Sequence, residues 1–136
     1  VVVASEEYAS ANGLASLARI VGHAAVAEEF AFLARTPAAA TRAVLAATGR
    51  QVAELRRIEI NEAFASVAVN STRMLEVNED IVNVNGGAIA LGHPIGASGG
   101  RIVTTLVHEL RRSGGGLGVA EICSGGGQGD ALLVEA

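Results

Sequence analysis

The stretch GGAIALGHPIGASG occupies Gly86–Gly99 and is the most distinctive part of this 136-residue sequence. Pro94 disfavours a helical conformation for the residue before it, so His93 is predicted to lie in a loop. The apolar residues that follow recur at helical spacing, which predicts a helix over Ala97–Arg112. Backbone amides at the start of a helix favour negative charge. The stretch therefore predicts a loop histidine that leads directly into the start of a helix.

Two further short blocks extend this chemistry. NEAFA spans Asn61–Ala65, and CSGGG spans Cys123–Gly127. Together with His93 they offer an amide, an imidazole and a thiol, of which the last two are set among glycines. Glycine lets backbone amides approach a substrate oxygen closely. This combination indicates an acyl-transfer site.

Each of these residues also has a simpler interpretation. A lone loop histidine such as His93 usually lies on the surface, although the dense glycines around it weaken that interpretation. Cys123 closes an apolar strand, and a single buried cysteine commonly acts as a small apolar side chain. A depressed pKa would make it reactive. Asn61 follows a predicted strand and can simply cap the next helix, which is the stronger interpretation for this residue taken alone.

The composition excludes several classes of protein. Half of the residues are apolar, as in a globular protein. The net charge of −4 argues against a nucleic-acid partner, because such partners need a basic face. No apolar run approaches the ~18 residues of a membrane span. Cys123 is the only cysteine, which precludes an internal disulfide, fits a reducing compartment and predicts a cytoplasmic protein.

Predicted strands and helices alternate along the chain. The strands are Val1–Ala4, Leu14–His23, the segment around Ile58 and Ile60, Leu117–Cys123 and Ala131–Glu135. The helices are a short one that Ser5 caps, one from Thr36-Pro37 to Gly49, Glu62–Leu75 and Ala97–Arg112. This order predicts one α/β domain over residues 1–136, with a mostly parallel five-stranded sheet, an antiparallel last strand and helices on both faces. Because the sequence opens on an apolar run, we expect further chain upstream.

In this order and spacing, the three blocks resemble the C-terminal half of thiolases, the family of acetyl-CoA acetyltransferases and 3-ketoacyl-CoA thiolases. The Gly86–Gly99 block is long and specific, and the other two are strong in combination. The resemblance covers essentially the whole chain, more loosely over the first sixty residues. It implies a layered thiolase-like fold and a CoA-dependent acyltransferase of fatty acid metabolism. The reactions would be Claisen condensation of acetyl-CoA or thiolytic cleavage of 3-ketoacyl-CoA.

The resemblance also implies roles for single residues. His93 would line the oxyanion hole for the thioester oxygen and help to activate the nucleophile, and Asn61 would fix the water that completes this hole. Cys123 would be the base that moves a proton at the α-carbon of the second substrate. Gly125 would hold the oxygen of the tetrahedral intermediate through its amide. Two residues would lie against the pantetheine arm of coenzyme A: Ala63 and Phe64.

The resemblance further implies partners. Thiolases carry the acyl group on a cysteine of their N-terminal half, and with Cys123 as the base this chain has no second thiol to act as nucleophile. We therefore expect the N-terminal thiolase half as a partner, acyl-CoA as the substrate, and a homodimer or homotetramer. No permanently bound cofactor and no metal is expected.

Two alternatives stay open at this point. The missing nucleophile favours a non-catalytic acyl-CoA-binding module that has kept the thiolase-like fold. A condensing enzyme of the ketoacyl synthase type is the other alternative. Those enzymes usually carry two histidines around their nucleophile, whereas here Cys123 takes the second position, which favours a thiolase.

Overall fold

A four-stranded mixed sheet forms the centre of the computed structural model, which describes residues 1–136. Its strands are β1 (Arg19–Ala27), β2 (Leu55–Ile60), β3 (Leu117–Ser124) and β4 (Gln128–Glu135). They lie in the order β1-β4-β3-β2. β2 and β3 pair in parallel, whereas β4 pairs antiparallel with both β1 and β3.

This topology confirms the α/β class and corrects the predicted sheet. β1, β2 and β3 run in one direction and β4 runs against them, as predicted for the last strand. Because β4 lies between β1 and β3, however, only the β2–β3 pairing is parallel. The predicted fifth strand, Val1–Ala4, is wrong: no strand lies beside it to accept its backbone hydrogen bonds, and its valines are exposed.

Five α-helices and three short 3-10 helices (Phe30–Arg35, Val52–Glu54 and Glu79–Ile81) accompany the sheet, and the sequence signals of the α-helices are mostly the predicted ones. The α-helices are α1 (Glu6–Ala11), α2 (Thr36–Thr48), α3 (Ala65–Leu75), α4 (Ala88–Leu91) and α5 (Ser98–Arg112). The hydroxyl of Ser5 caps α1 by accepting from the amide of Tyr8. Gly49 ends α2 with a left-handed φ of 67°. None of the helices is long and apolar enough to cross a membrane.

The helices cover both faces of the sheet, as predicted. On the face covered by α2 and α3, here called the α2 face, Val119 and Leu133 pack with Val44 of α2. On the opposite face, here called the α5 face, Ala120 and Val134 pack against one stripe of α5. That stripe contains Ile102, Leu106 and Leu110. The alternation along β3 and β4 follows from the two-residue period of a strand.

Three predicted element boundaries are wrong. β4 begins at Gln128 rather than Ala131. β1 begins at Arg19 rather than Leu14 and runs on to Ala27, because its pairing with β4 sets its length. α3 begins at Ala65 rather than Glu62. The residues between β2 and α3 form an irregular bend, and this bend carries part of the candidate site.

We expect Gly129→Ala to lower the free energy of unfolding by about 1–3 kcal/mol. A Cβ at this position of β4 would lie 2.5 Å from the carbonyl oxygen of Thr36, at the start of α2, so backbone would have to move. Urea denaturation followed by circular dichroism measures the change. Gly125→Ala is the matched control, because a Cβ there meets no atom within 4 Å. Equal losses in the two variants would contradict the packing argument.

Candidate active site

The adjoining carboxyl ends of β2 and β3 form the edge on which the candidate site lies. Ile60 is aligned with Glu121 in this parallel pair. Asn61 follows β2 directly, and its backbone amide donates to the carbonyl of Glu121 at 2.9 Å. Cys123 lies two residues further along β3. Strand ends of this kind gather functional side chains at one edge of an α/β sheet.

The imidazole of His93 is held at both of its ring nitrogens. Its Nε2 lies 3.3 Å from Nδ2 of Asn61, a residue that is fully buried. Its Nδ1 lies 2.6 Å from Oγ of Ser98, the first residue of α5. The Ser98 hydroxyl also donates to the carbonyl of Pro94 at 3.1 Å. His93 itself is exposed, so a ring of fixed orientation faces solvent.

These contacts define the tautomer of the neutral His93 ring. Because the single Ser98 proton goes to Pro94, Oγ accepts from Nδ1–H of His93, and Nε2 carries the free lone pair toward the Asn61 amide. In this state Nε2 can take up a proton. After protonation Nε2 donates instead, and a half-turn of the Asn61 amide would present Oδ1, which is buried and has no other partner. The pair therefore accommodates both protonation states.

The backbone of the preceding residue sets the direction of His93. Gly92 ends α4 with a φ of 98°, a conformation that side chains rarely adopt. Pro94 follows His93 and excludes the helical conformation there. The predicted loop position of His93 is confirmed, and so is its place just before the helix α5.

Cys123 lies at the same sheet edge as Asn61 and His93, but it forms no side-chain hydrogen bond with either of them. Its side chain is 9% exposed and belongs to the core cluster on the α2 face, whereas His93 is anchored to the first turn of α5. Burial raises the pKa of the Cys123 thiol, so the thiol is neutral near pH 7. The structure thus joins Asn61 to His93 and places Cys123 on the neighbouring strand end.

The three remaining candidate residues border this edge. Gly125 lies in the exposed turn between β3 and β4. Ala63 is half-buried against the core, in the bend that follows β2. Phe64 precedes α3, and 63% of it is exposed.

A family model described as "Thiolase, C-terminal domain" matches residues 14–136. The chain belongs to the thiolase family. The resemblance found from the three sequence blocks is thereby confirmed.

Individual thiolases agree with this assignment. The chain is 51% identical to the probable acetyl-CoA acetyltransferase of Escherichia coli (strain K12), over 99% of this chain and 34% of that protein. It is 50% identical to the probable acetyl-CoA acetyltransferase of Mycobacterium tuberculosis, over 100% of this chain and 35% of that protein. Human mitochondrial 3-ketoacyl-CoA thiolase in complex with CoA superposes with a TM-score of 0.95 at 41% identity, covering 98% of this chain and 34% of that chain. The chain thus spans about a third of the length of these relatives.

Sequence reasoning missed two residues that support the candidate site. Ser98 holds Nδ1 of His93, and its signal was a hydroxyl at the start of the helix that follows the histidine. Glu62 accepts from Asn83 at 2.8 Å and from the amide of Ile89 at 2.9 Å. Its signal was its place beside Asn61 in the NEAFA block.

Two buried carboxyl groups lie deeper in the same sheet. Glu121 is fully buried on the α2 face, where Thr41 donates to it, and burial raises its pKa to about 7. Burial also raises the pKa of Glu59 to about 7, although Arg101 at 3.5 Å opposes this shift. No group of three or more His, Cys, Asp or Glu side chains is arranged to hold a metal ion.

Proposed function

We propose that this chain supplies the base and the oxyanion-binding half of a thiolase active site. The assembled enzyme would condense acetyl-CoA or cleave 3-ketoacyl-CoA by thiolysis. The single observation that carries this proposal is the His93 ring held at both nitrogens, by the buried amide of Asn61 and by the hydroxyl of Ser98. This ring lies at the sheet edge that also holds Cys123. The thiolase family match supports the choice of reaction.

His93 and Asn61 would serve the carbonyl oxygen of the thioester. A protonated or water-bridged Nε2 is a donor of fixed position, because both ring nitrogens are held. Such fixed donors stabilise the charge that develops on the oxygen in the transition state. When neutral, the same nitrogen can accept the proton of an incoming thiol.

Cys123 would act as the base at the α-carbon. In condensation the thiolate form of Cys123, which is the minor form near pH 7, would take the α-proton, and the electron pair of the C–H bond would move into an enolate whose oxygen is stabilised by donors. The enolate carbon would then attack the acyl carbon held on a second cysteine, the C–S bond would break, and the thiolate of that cysteine would leave. Since Cys123 is the only cysteine here, that nucleophile would come from an N-terminal thiolase half.

The border of the site would receive the coenzyme. Phe64 offers an exposed aromatic surface, and Ala63 a small apolar one, to the pantetheine arm. The amide of Gly125 lies in an open turn where a substrate oxygen can approach. The structural neighbour that holds CoA supports acyl-CoA as the substrate class. The proposal also includes assembly as a homodimer or homotetramer, a role in fatty acid metabolism and a location in the cytoplasm.

A chimera tests the proposed function. In it, this chain replaces the corresponding third of the 51% identical E. coli relative, so that the N-terminal part comes from that protein. We expect the chimera to cleave acetoacetyl-CoA in the presence of CoA. Activity only with an acyl carrier protein thioester would favour the ketoacyl synthase alternative. Binding of CoA without turnover would favour the non-catalytic module.

The isolated chain should show no thiolase turnover. The reason is its one thiol, which the proposal uses as base rather than nucleophile. Mass spectrometry after incubation with acetyl-CoA should show no acetylated Cys123. An acetyl thioester that forms on the isolated chain and is lost in Cys123→Ser would show that Cys123 is the nucleophile and that its proposed role is wrong.

A further inference from the structure

Glu62 is the one charged residue of the NEAFA block, and the proposed chemistry gives it no role. It follows Asn61 in the bend after β2. Both of its carboxylate oxygens are occupied, one by Nδ2 of Asn83 at 2.8 Å and the other by the amide of Ile89 at 2.9 Å. A carboxylate that is bound at both oxygens is oriented and is not free to act as a base.

Asn83 connects this carboxylate to the sheet. Its Oδ1 accepts from the amide of Ile60 at 2.7 Å, and its Nδ2 donates to the carbonyl of Ile60 at 2.9 Å. The side-chain amide thus pairs with the edge of β2 as a neighbouring strand would. Asn83 adopts a left-handed φ of 45°, a conformation that asparagine tolerates better than most residues.

Gly87 shows how tightly the segment closes over Glu62. A Cβ at position 87 would lie 2.1 Å from the carboxyl carbon and 2.3 Å from each of the carboxylate oxygens. The φ of Gly87 is −117°, which any residue can adopt. A Cβ at this position would therefore displace the carboxylate from its hydrogen bonds rather than strain the backbone.

We propose that Glu62 is a positioning residue that holds the segment 83–91, and through it His93, against the end of β2. Asn61 and Glu62, which are consecutive in the bend, then hold the two ends of the shorter stretch from Ile89 to His93. Glu62 binds its start at the Ile89 amide, and Asn61 binds its end at the His93 ring. The inference rests on the proposed function only for its effect on catalysis.

The first test follows His93 directly in the 136-residue chain. The chain has three histidines, so NMR of ¹³C/¹⁵N-histidine-labelled protein resolves His93 beside His23 and His108, with His93→Gln as the assignment variant. In Glu62→Ala, the chemical shifts of the His93 ring should change, while those of the His23 and His108 rings stay the same. Hydrogen exchange of the Ile89 amide should accelerate by about tenfold or more. Glu29→Ala, which removes an exposed carboxylate, is the matched control.

Unchanged His93 signals and Ile89 exchange in a folded Glu62→Ala chain would overturn the inference. Should that variant unfold, Glu62→Gln retains the shape of the side chain. The NH₂ group of the glutamine would face either Nδ2 of Asn83 or the amide of Ile89, both of which are donors, so one of the two hydrogen bonds would be lost. The same shift of the His93 signals is therefore expected. Normal His93 signals in Glu62→Gln would count against the proposal equally.

A second test uses Gly87. In the wild-type background, Gly87→Ala should displace the carboxylate and shift the His93 signals. In the Glu62→Ala background the same change should add no further shift, because the clashing group is gone. Gly96→Ala, where a Cβ meets nothing within 4 Å, is the loop control. Additive effects of Gly87→Ala and Glu62→Ala would overturn the inference.

The chimera connects this role to turnover. Glu62→Ala should lower kcat by about 10- to 100-fold, as expected for a misplaced catalytic group, with KM for acetoacetyl-CoA within about twofold. A rise in KM alone would show that Glu62 contacts substrate and would contradict the positioning role. The NMR results need no activity. If His93 moves in Glu62→Ala but the chimera is inactive, the positioning role holds and the proposed function fails.

Discussion

Replacing His93 with alanine in the chimera should slow the acylation of the enzyme by acetyl-CoA about 10²–10³-fold. The imidazole is held by Asn61 and Ser98 where it can act on the thioester oxygen, and removal of an oxyanion-hole donor has an effect of this size. Because an acyl thioester is made or broken in both half-reactions, both should be affected. A single-turnover experiment with labelled acetyl-CoA measures the label bound to protein.

Cys123→Ala provides the contrast in the same experiment. This variant should still become acylated, since its thiol lies on the α2 face without a hydrogen bond to His93, but it should lose the step that moves the α-proton. Removal of a general base slows a reaction roughly 10²–10⁴-fold, so overall rates alone do not separate the two variants. His108→Ala, an exposed histidine on α5, is the control. Loss of acylation in Cys123→Ala as complete as in His93→Ala would contradict this division of roles.

The second large effect concerns stability. Glu121 is fully buried and its pKa is raised from 4.5 to about 7 by burial, and the Thr41 hydroxyl is the one hydrogen-bond donor to its carboxyl group. The folded protein therefore holds this proton more tightly than the unfolded chain, so the contribution of Glu121 to stability is fully present below about pH 4.5 and is lost as the pH rises toward 7. The raised pKa corresponds to about 3 kcal/mol.

We expect Glu121→Gln to remove this part of the pH dependence. Urea denaturation at several values between pH 4.5 and pH 8 should show the wild type losing about 3 kcal/mol more than the variant. Glu29→Gln, an exposed carboxylate without a hydrogen bond, should follow the wild type. Parallel curves for wild type and Glu121→Gln would show that Glu121 ionises in the folded chain without penalty.

The sequence allowed much of the site to be predicted because its signals are local. Pro94 and the glycines beside His93 restrict the backbone within a few residues, and Asn61 directly follows an apolar strand. Ser98 and Glu62 were missed because their partners depend on how loops fold back in space. Glu62 meets Ile89 across 27 positions, and no spacing rule connects them.

The sheet shows the same division between local and distant signals. The helices α2 and α5 were predicted within one residue of their starts, since a proline in the first turn of α2 and the apolar spacing of α5 act within a turn or two. The position of β4 between β1 and β3 could not be predicted, because alternating strands and helices do not specify which strands pair. Val1–Ala4 has the composition of a strand, but a strand forms only where a neighbour accepts its hydrogen bonds.

The central position of β4 has a consequence for the chain during its synthesis. β1 pairs with no strand other than β4, and Arg19 meets Glu135 across 116 positions. A ribosome that adds about 5–20 residues per second needs roughly 5–20 s to proceed from the end of β1 to the start of β4. Throughout this interval the backbone of β1 has no strand to pair with. Of the four strands, β1 is therefore the one that waits longest for the strand with which it pairs.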